Sequence, residues 1–283
     1  MKSQQKLEKQ FSCEFFPPKT EQGMEKLFAT AETLSQQIDP KFFSVTFGAG
    51  GSTRETTFTA VTSLMQHTGR EVAPHLSCIG SSKQQLKDIL DDYQQQGVKR
   101  IVALRGDLPS GTVSHGDFTH ANQLVSFIRE NYQDQFKIEV AAYPETHPQA
   151  ASAHKDLQHF QQKVNAGADS AITQYFYNLD SYFYFVDDCE KAGLDLPIVP
   201  GIMPITNYSN LARFSEMCGA EIPQWLRRKL ESYADDAESI KDFGAEFVTS
   251  MCQRLLDMGA PGLHFYTMNQ SEVSLRIWNN LSK

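Results

Sequence analysis

Eight short runs rich in Val, Ile and Phe recur along the chain, near residues 11–16, 42–47, 72–79, 99–104, 137–143, 170–175, 197–202 and 262–266. Most are separated by stretches of helical period. Leu27, Thr30, Ala31 and Leu34 share one helix face after the first run, and Leu86, Ile89, Leu90 and Tyr93 share another after the third. Strand and helix therefore alternate at about 30 residues per unit. No Pro/Gly/Ser-rich linker or break in composition divides the units, so the pattern predicts right-handed βα repeats in one domain spanning residues 1–283. Eight repeats close a (β/α)8 barrel, an α/β fold for which 283 residues is an ordinary length. The alternative is an open doubly wound sheet, which usually carries a Gly-rich turn after its first strand; here that place holds Pro17-Pro18-Lys19-Thr20. The interval 203–261 is too long for one unit and is expected to hold extra helices, near Trp225 to Tyr233 and Glu238 to Met258. Residues 1–10 are polar and are expected to form a flexible lead-in.

Several function classes fall away on composition. A formal charge of −8 with no stripe of Lys and Arg excludes a general affinity for nucleic acid. No run reaches the roughly 18 apolar residues of a membrane span, and Met1 to Gln10 do not lead into a signal-peptide core, so a cytoplasmic location is expected. The 5 cysteines, Cys13, Cys78, Cys189, Cys218 and Cys252, are scattered and never paired as C-x-x-C, which argues against a zinc site or a disulfide framework. His154 and His159 miss the i, i+4 spacing of a helical metal pair, and no metal is expected.

In a barrel of this kind the chemistry sits at the C-terminal ends of the strands. The first run ends in Phe11-Ser12-Cys13-Glu14-Phe15-Phe16-Pro17-Pro18, and a carboxylate written into an apolar strand must be paired, protonated or turned towards a ligand. After the second run, Thr46-Phe47-Gly48-Ala49-Gly50-Gly51-Ser52-Thr53-Arg54 reads either as a turn needing positive φ or as a loop that lets a flat or phosphorylated ligand approach. His75 closes the third run, as a structural or a catalytic imidazole. Arg105 and Asp107 crown the fourth, as an ion pair or as a cation and an anion offered to one ligand. Tyr143-Pro144-Glu145-Thr146-His147-Pro148 follows the fifth. Asp156 and Lys163, seven apart, lie on one face of the next helix, a spacing a solvated face shares. Gln174 ends the sixth run with an amide able to meet a heterocycle edge. With no G-x-S-x-G and no P-loop lysine, this set suits a large aromatic organic cofactor.

Taken in order, Glu14-Phe-Phe-Pro-Pro, Ser44-Val-Thr-Phe-Gly-Ala-Gly-Gly-Ser-Thr-Arg54, Pro74-His-Leu, Leu104-Arg-Gly-Asp107, Ala142-Tyr-Pro-Glu-Thr-His147, Ile172-Thr-Gln174, Pro200-Gly-Ile-Met-Pro204 and His264-Phe-Tyr-Thr267 resemble the methylenetetrahydrofolate reductases. The match runs from about residue 11 to the end, and looks like the short bacterial form without the regulatory domain that brings S-adenosylmethionine control.

The resemblance implies a (β/α)8 barrel that binds FAD non-covalently, with NADH or NADPH and the folate using the flavin in turn; family habit favours NADH, with a reduced ferredoxin-type donor as the alternative. It implies that Thr46, His75, Arg105, Gly106, Asp107, Ala121, Tyr143, His147, Asp156 and Lys163 hold FAD, and that Glu14, Thr46, Gln174, Asn210, Phe214, Tyr266 and Gln270 meet the substrates. Glu14 is expected to be the acid that protonates N10 as the folate ring opens, its pKa raised by Phe11, Phe15 and Phe16, while Asp107 stabilises the cationic folate and tunes the flavin. The expected product is 5-methyltetrahydrofolate for methionine synthesis, and the expected assembly a homodimer or homotetramer. Two positions depart from the family pattern. Gln270 stands where some members carry an Arg that binds the folate glutamate tail, and His120-Ala121 replaces a Tyr-Ala near the adenosine end of the flavin. Two rivals share the fold class, a flavin barrel acting on another substrate such as proline, and a pterin-binding barrel that carries methyl groups without flavin.

Overall fold

Alternate residues of a strand face opposite sides, and that parity organises the molecule. The structure, a computed structural model, describes residues 1–47, 53–107 and 116–281. The glycine-rich loop of Gly48, Gly50 and Gly51 lies outside the described residues. In chain order the elements are β1 (Gln10–Phe15), α1 (Glu21–Gln37), β2 (Phe42–Val45), α2 (Thr53–Thr68), β3 (Glu71–Ser77), α3 (Lys83–Gln95), β4 (Arg100–Leu104), α4 (Ala121–Tyr132), β5 (Lys137–Ala142), α5 (Ala153–Asn165), β6 (Ser170–Thr173) and α6 (Leu179–Lys191). There follow β7 (Ile198–Val199), β8 (Gly201–Ile202), α7 (Tyr208–Cys218), α8 (Gln224–Glu231), α9 (Ala237–Asp257), β9 (Gly262–Tyr266) and α10 (Glu272–Asn280).

All strand pairs are parallel, in the order β7-β6-β5-β4-β3-β2-β1-β9-β8. β7 and β8 are two pieces of one stave, divided at Pro200, whose missing N–H cannot join a ladder. Counting them as one gives the eight staves of a (β/α)8 barrel, with α8 and α9 as the extra helices before the last strand. Helix starts follow local chemistry. Thr20 accepts from the amide of Gly23, and Ser82 forms a capping box with Gln85. The Asn178 side chain, accepting from the Asp180 amide, starts α6.

One face of each strand packs on the helices. Phe15, Phe43, Val45, Leu76, Ile101, Ala103, Ile138 and Val140 belong to a large buried cluster with Leu27, Leu34, Leu64, Leu86, Leu90 and Leu124. The other face fills the barrel with a much smaller apolar layer, Phe42, Ala73, Val102 and Ile172, joined by Leu104 and Tyr266. The N-terminal segment is packed rather than loose: Gln4, 2% exposed, donates to the Leu196 carbonyl and accepts from the Ile198 amide, satisfying the entry of the short β7 stave. No helix among the described residues is long and apolar enough to cross a membrane.

Below the apolar layer the barrel is closed by charge. Arg100, 3% exposed, pairs with Glu139, itself 2% exposed, and with Glu71 at 3.1 Å; Ser170 also donates to Glu139, and the guanidinium lies 4.4 Å from the centre of the Phe42 ring. A buried pair of this kind adds little against an apolar replacement, but losing one partner strands a charge. Glu139→Ala should therefore lower the unfolding free energy by about 3–5 kcal/mol, and adding Arg100→Met should restore most of it. Urea unfolding of the two variants checks this; equal losses in the single and double variants would contradict it.

Candidate active site

The same parity that sends Phe11, Cys13 and Phe15 outward sends Ser12 and Glu14 into the barrel. Phe11 meets Trp278, and Phe15 packs on Phe43, so neither ring surrounds the carboxylate. What faces Glu14 is polar. His75, inward on β3, brings Nε2 to 3.1 Å from Glu14 Oε2, and His264, inward on β9, brings its Nε2 to 3.5 Å. Ser44 donates to the same oxygen at 3.4 Å, while Ser12 Oγ and His264 Nδ1 lie 2.7 Å apart and fix the ring. The His75 contact falls short of hydrogen-bond alignment, so charge is the larger part of its pull on the carboxylate. Burial pushes the Glu14 carboxyl up, but the charge of His75 and then the hydrogen bond of His264 outweigh it and hold the group at about 2. The expected rise towards neutrality is thus corrected. It assumed aromatic neighbours, but Phe11 and Phe15 are on the opposite face of the strand and Phe16, beyond its end, is exposed.

Glu14 lies on the floor of a cavity of about 460 Å3 at the C-terminal end of the barrel. Thr46, His75, Asp107, Tyr143, His147, Gln174, Phe214 and Tyr266 line it as well. The Tyr266 hydroxyl is already committed, donating to the Thr173 carbonyl at 2.7 Å, so it is the ring that faces the space. Gln174 Oε1 accepts from the Tyr175 amide at 3.0 Å, which leaves its amide N–H groups for a ligand. Phe214, on α7, forms the opposite wall, with Arg213 5.4 Å from its ring centre.

A second cavity, of about 320 Å3, shares Leu104, Asp107, Ala141, Tyr143, His147 and Gln149 with the first, so the two form one trough. Its own lining brings in Arg105, Gly106, Ala121, Asp156 and Lys163. β4 ends at Leu104, and Gly106 at φ +82 turns the chain; a Cβ there would stand 2.8 Å from Ser77. Arg105 and Asp107 consequently crown the strand end 3.6 Å apart, with Asp107 96% exposed. The guanidinium also donates to the Gln149 side-chain oxygen at 2.6 Å and to the Gly106 carbonyl at 3.0 Å. Of the two helical residues seven apart, Asp156 accepts from the His147 amide at 2.7 Å, and Lys163 donates to the Ala141 carbonyl. The face they share is the one turned to the trough. Burial pulls the Lys163 ammonium down to about 8, with Asp156 countering it. Tyr143 is pushed up to about 12 by burial, and burial lowers His147, whose Nδ1 accepts from the Gln149 amide.

Two of the expected substrate contacts, Asn210 and Gln270, are not among the residues that line the two cavities. Asn210 sits in the first turn of α7, with its side chain within 3.5 Å of Arg213 and outside the trough lining. Gln270 is exposed in the turn after β9, where Met268 takes its place at the cavity wall. A helix-start residue and a post-strand residue have no strand parity to orient them, so their facing was not readable. The sequence reading also passed over His264, although its alternation with Tyr266 marks it as inward, and over Gln149, Met203, Met217 and Cys218, which carry no such signal.

The donor set fits a dinucleotide-type flavin. A buried ammonium whose close partner is a carbonyl, next to a guanidinium held by neutral acceptors, calls for anionic or hydroxyl oxygens. The joined larger cavity, with aromatic and amide walls above the Glu14 cluster, suits flat heterocycles.

Comparisons with known proteins agree with this arrangement. The family model for methylenetetrahydrofolate reductase matches residues 1–282. The chain is 42% identical over 270 residues to the 5,10-methylenetetrahydrofolate reductase of Escherichia coli, covering 95% of this chain and 90% of that one. It is 39% identical over 284 residues to methylenetetrahydrofolate reductase (NADH) 1 of Arabidopsis thaliana, covering 96% of this chain and 48% of the plant protein. A solved structure from Clostridium thermocellum, an uncharacterised protein that binds two copies of 5-methyl-5,6,7,8-tetrahydrofolic acid, superposes with a TM-score of 0.63 over 98% of this chain and 96% of that one. At 15% identity that likeness speaks for the barrel alone. With the family match spanning nearly the whole sequence, this chain belongs to the methylenetetrahydrofolate reductase family and is an enzyme of its short bacterial kind.

Proposed function

We propose that this chain reduces 5,10-methylenetetrahydrofolate to 5-methyltetrahydrofolate, using FAD held in the trough and NADH as donor, with NADPH as the alternative nucleotide. The observation that carries the reading is the Glu14–His75–His264 cluster on the floor of a heterocycle-sized cavity, continuous with a second cavity that bears Arg105 and Lys163. A methyl-carrying pterin barrel would need the first cavity and not the second. Lys163, Arg105, Asp156 and the His147 ring would hold the phosphate and ribose portion of the flavin, with Ala121, Gly106, Tyr143 and Thr46 shaping the walls. When bound, the flavin supplies hydride chemistry that the side chains lack.

The protein's part is position and protons. The folate stacks between Phe214 and the flavin side of the cavity, and the Gln174 amide donates to its pterin edge. Opening the five-membered ring breaks the bond from N10 to the bridging carbon, and N10 must gain a proton as it leaves. Glu14, on the cavity floor beside His75 and His264, delivers it. Asp107, exposed at the rim of both cavities, offers negative charge to the cationic folate.

Glu14→Gln keeps the shape and removes the proton path. It should slow folate reduction by about 10²–10⁴-fold while leaving NADH oxidation with an artificial acceptor within a few-fold of wild type. Stopped-flow measurement of the two half-reactions checks this; full folate turnover in the variant would remove Glu14 as the acid. The Lys163 site makes a second prediction, with a definite sign. Its ammonium is charged below about 8, so affinity for FAD or ADP should be highest there and fall as pH rises through that value. Lys163→Met should bind about 10–100-fold more weakly at pH 7 and lose this pH dependence, as read by calorimetric titration of the flavin-free protein.

A further inference from the structure

The loop between β5 and α5 carries Tyr143 and His147 to the trough, while α7 carries Phe214, Met217 and Cys218 to the opposite wall. These two walls are joined directly. Glu145 accepts from the Glu221 amide at 2.8 Å, just beyond the C-terminal end of α7. Beside it, Pro148 packs on Gly219, the helix C-cap, which adopts φ +76; a Cβ at that glycine would stand 2.4 Å from Pro148 Cγ. From the end of β6, the Tyr175 hydroxyl lies 3.0 Å from Ser215 Oγ, fixing the same turn of α7. The loop side is set as firmly, because Thr146 holds φ +74, a left-handed conformation that a β-branched residue rarely adopts.

Glu145 is an unusual choice for such a joint. Its Oε1 is buried without a hydrogen-bond partner, and burial pushes the carboxyl up to about 7 despite the Glu221 amide. A buried oxygen left unpaired is costly, so the contact it makes through Oε2 has a specific job to hold it there.

We propose that Glu145 is a positioning residue that clasps the C-terminal end of α7 to the β5–α5 loop, so that the Phe214–Met217 wall and the loop bearing Tyr143 and His147 hold one relative position. The clasp itself is read from the geometry. Its consequence for folate rests on the function proposed above.

Hydrogen exchange on the full chain reads the clasp without any turnover. In Glu145→Ala the amides of residues 208–218 should exchange about tenfold faster, with α2 and α3 unchanged, whereas Glu145→Gln, which keeps an acceptor for the Glu221 amide, should stay close to wild type. In steady state the Ala variant should show KM for the folate raised about tenfold with kcat within about threefold, and the Gln variant should be restored. Exchange of 208–218 at the wild-type rate in Glu145→Ala would overturn the proposal. So would acceleration spread evenly over the barrel, which would make Glu145 an ordinary stabilising residue. A wild-type protein inactive with folate would count against the proposed function while the exchange result still decides the clasp.

Discussion

A carboxylate enclosed with two imidazoles inside a parallel barrel is the interaction on which the site is built. Glu14 is only 16% exposed and His264 fully buried, so the charges of the cluster are screened by protein and not by water. Desolvation alone would raise the carboxyl pKa; the two histidines reverse that. Ser12 and Ser44 orient it without adding charge. The arrangement requires β1 to be flanked by β2 and β9, as the strand order provides.

Charge is placed differently at the two ends of the barrel. At the N-terminal end Arg100, Glu71, Glu139 and Ser170 satisfy one another behind the Phe42 ring, and nothing is left over for a ligand. At the C-terminal end Arg105 is held by a neutral amide and a carbonyl, Lys163 by a carbonyl, and Asp107 stands open to solvent. The first set closes the fold and the second waits for a partner, the division of labour expected of this barrel type. The thin apolar layer of Phe42, Ala73, Val102 and Ile172 insulates one from the other.

The sequence made the barrel legible because strand and helix differ in period, and most of the site legible because strand ends repeat the same polar surprise. Thr46, His75, Gln174 and Tyr266 all fall where that pattern puts them, at the mouth of the barrel. It misled for Glu14, since its neighbours in sequence are on the other face of the strand and its neighbours in space come from β3 and β9. The spacing of Asp156 and Lys163 defined a shared face without saying which way it turned; packing of α5 on the barrel decided that. Asn210 and Gln270 lie on a helix start and in a turn, where neither period applies, and they do not line the two cavities. The Glu145–Glu221 joint connects residues with no shared motif and emerged only from the fold.

The protonation state of Glu14 tests the central claim most directly. Wild-type minus Glu14→Gln difference infrared spectra in the carboxyl region, recorded at pH 5.5, should show Glu14 as an ionised carboxylate. In a His75→Phe/His264→Phe background, where burial acts unopposed, the same difference should show a protonated acid. A protonated Glu14 in the wild-type protein at that pH, or an unchanged carboxylate once both imidazoles are gone, would contradict the account.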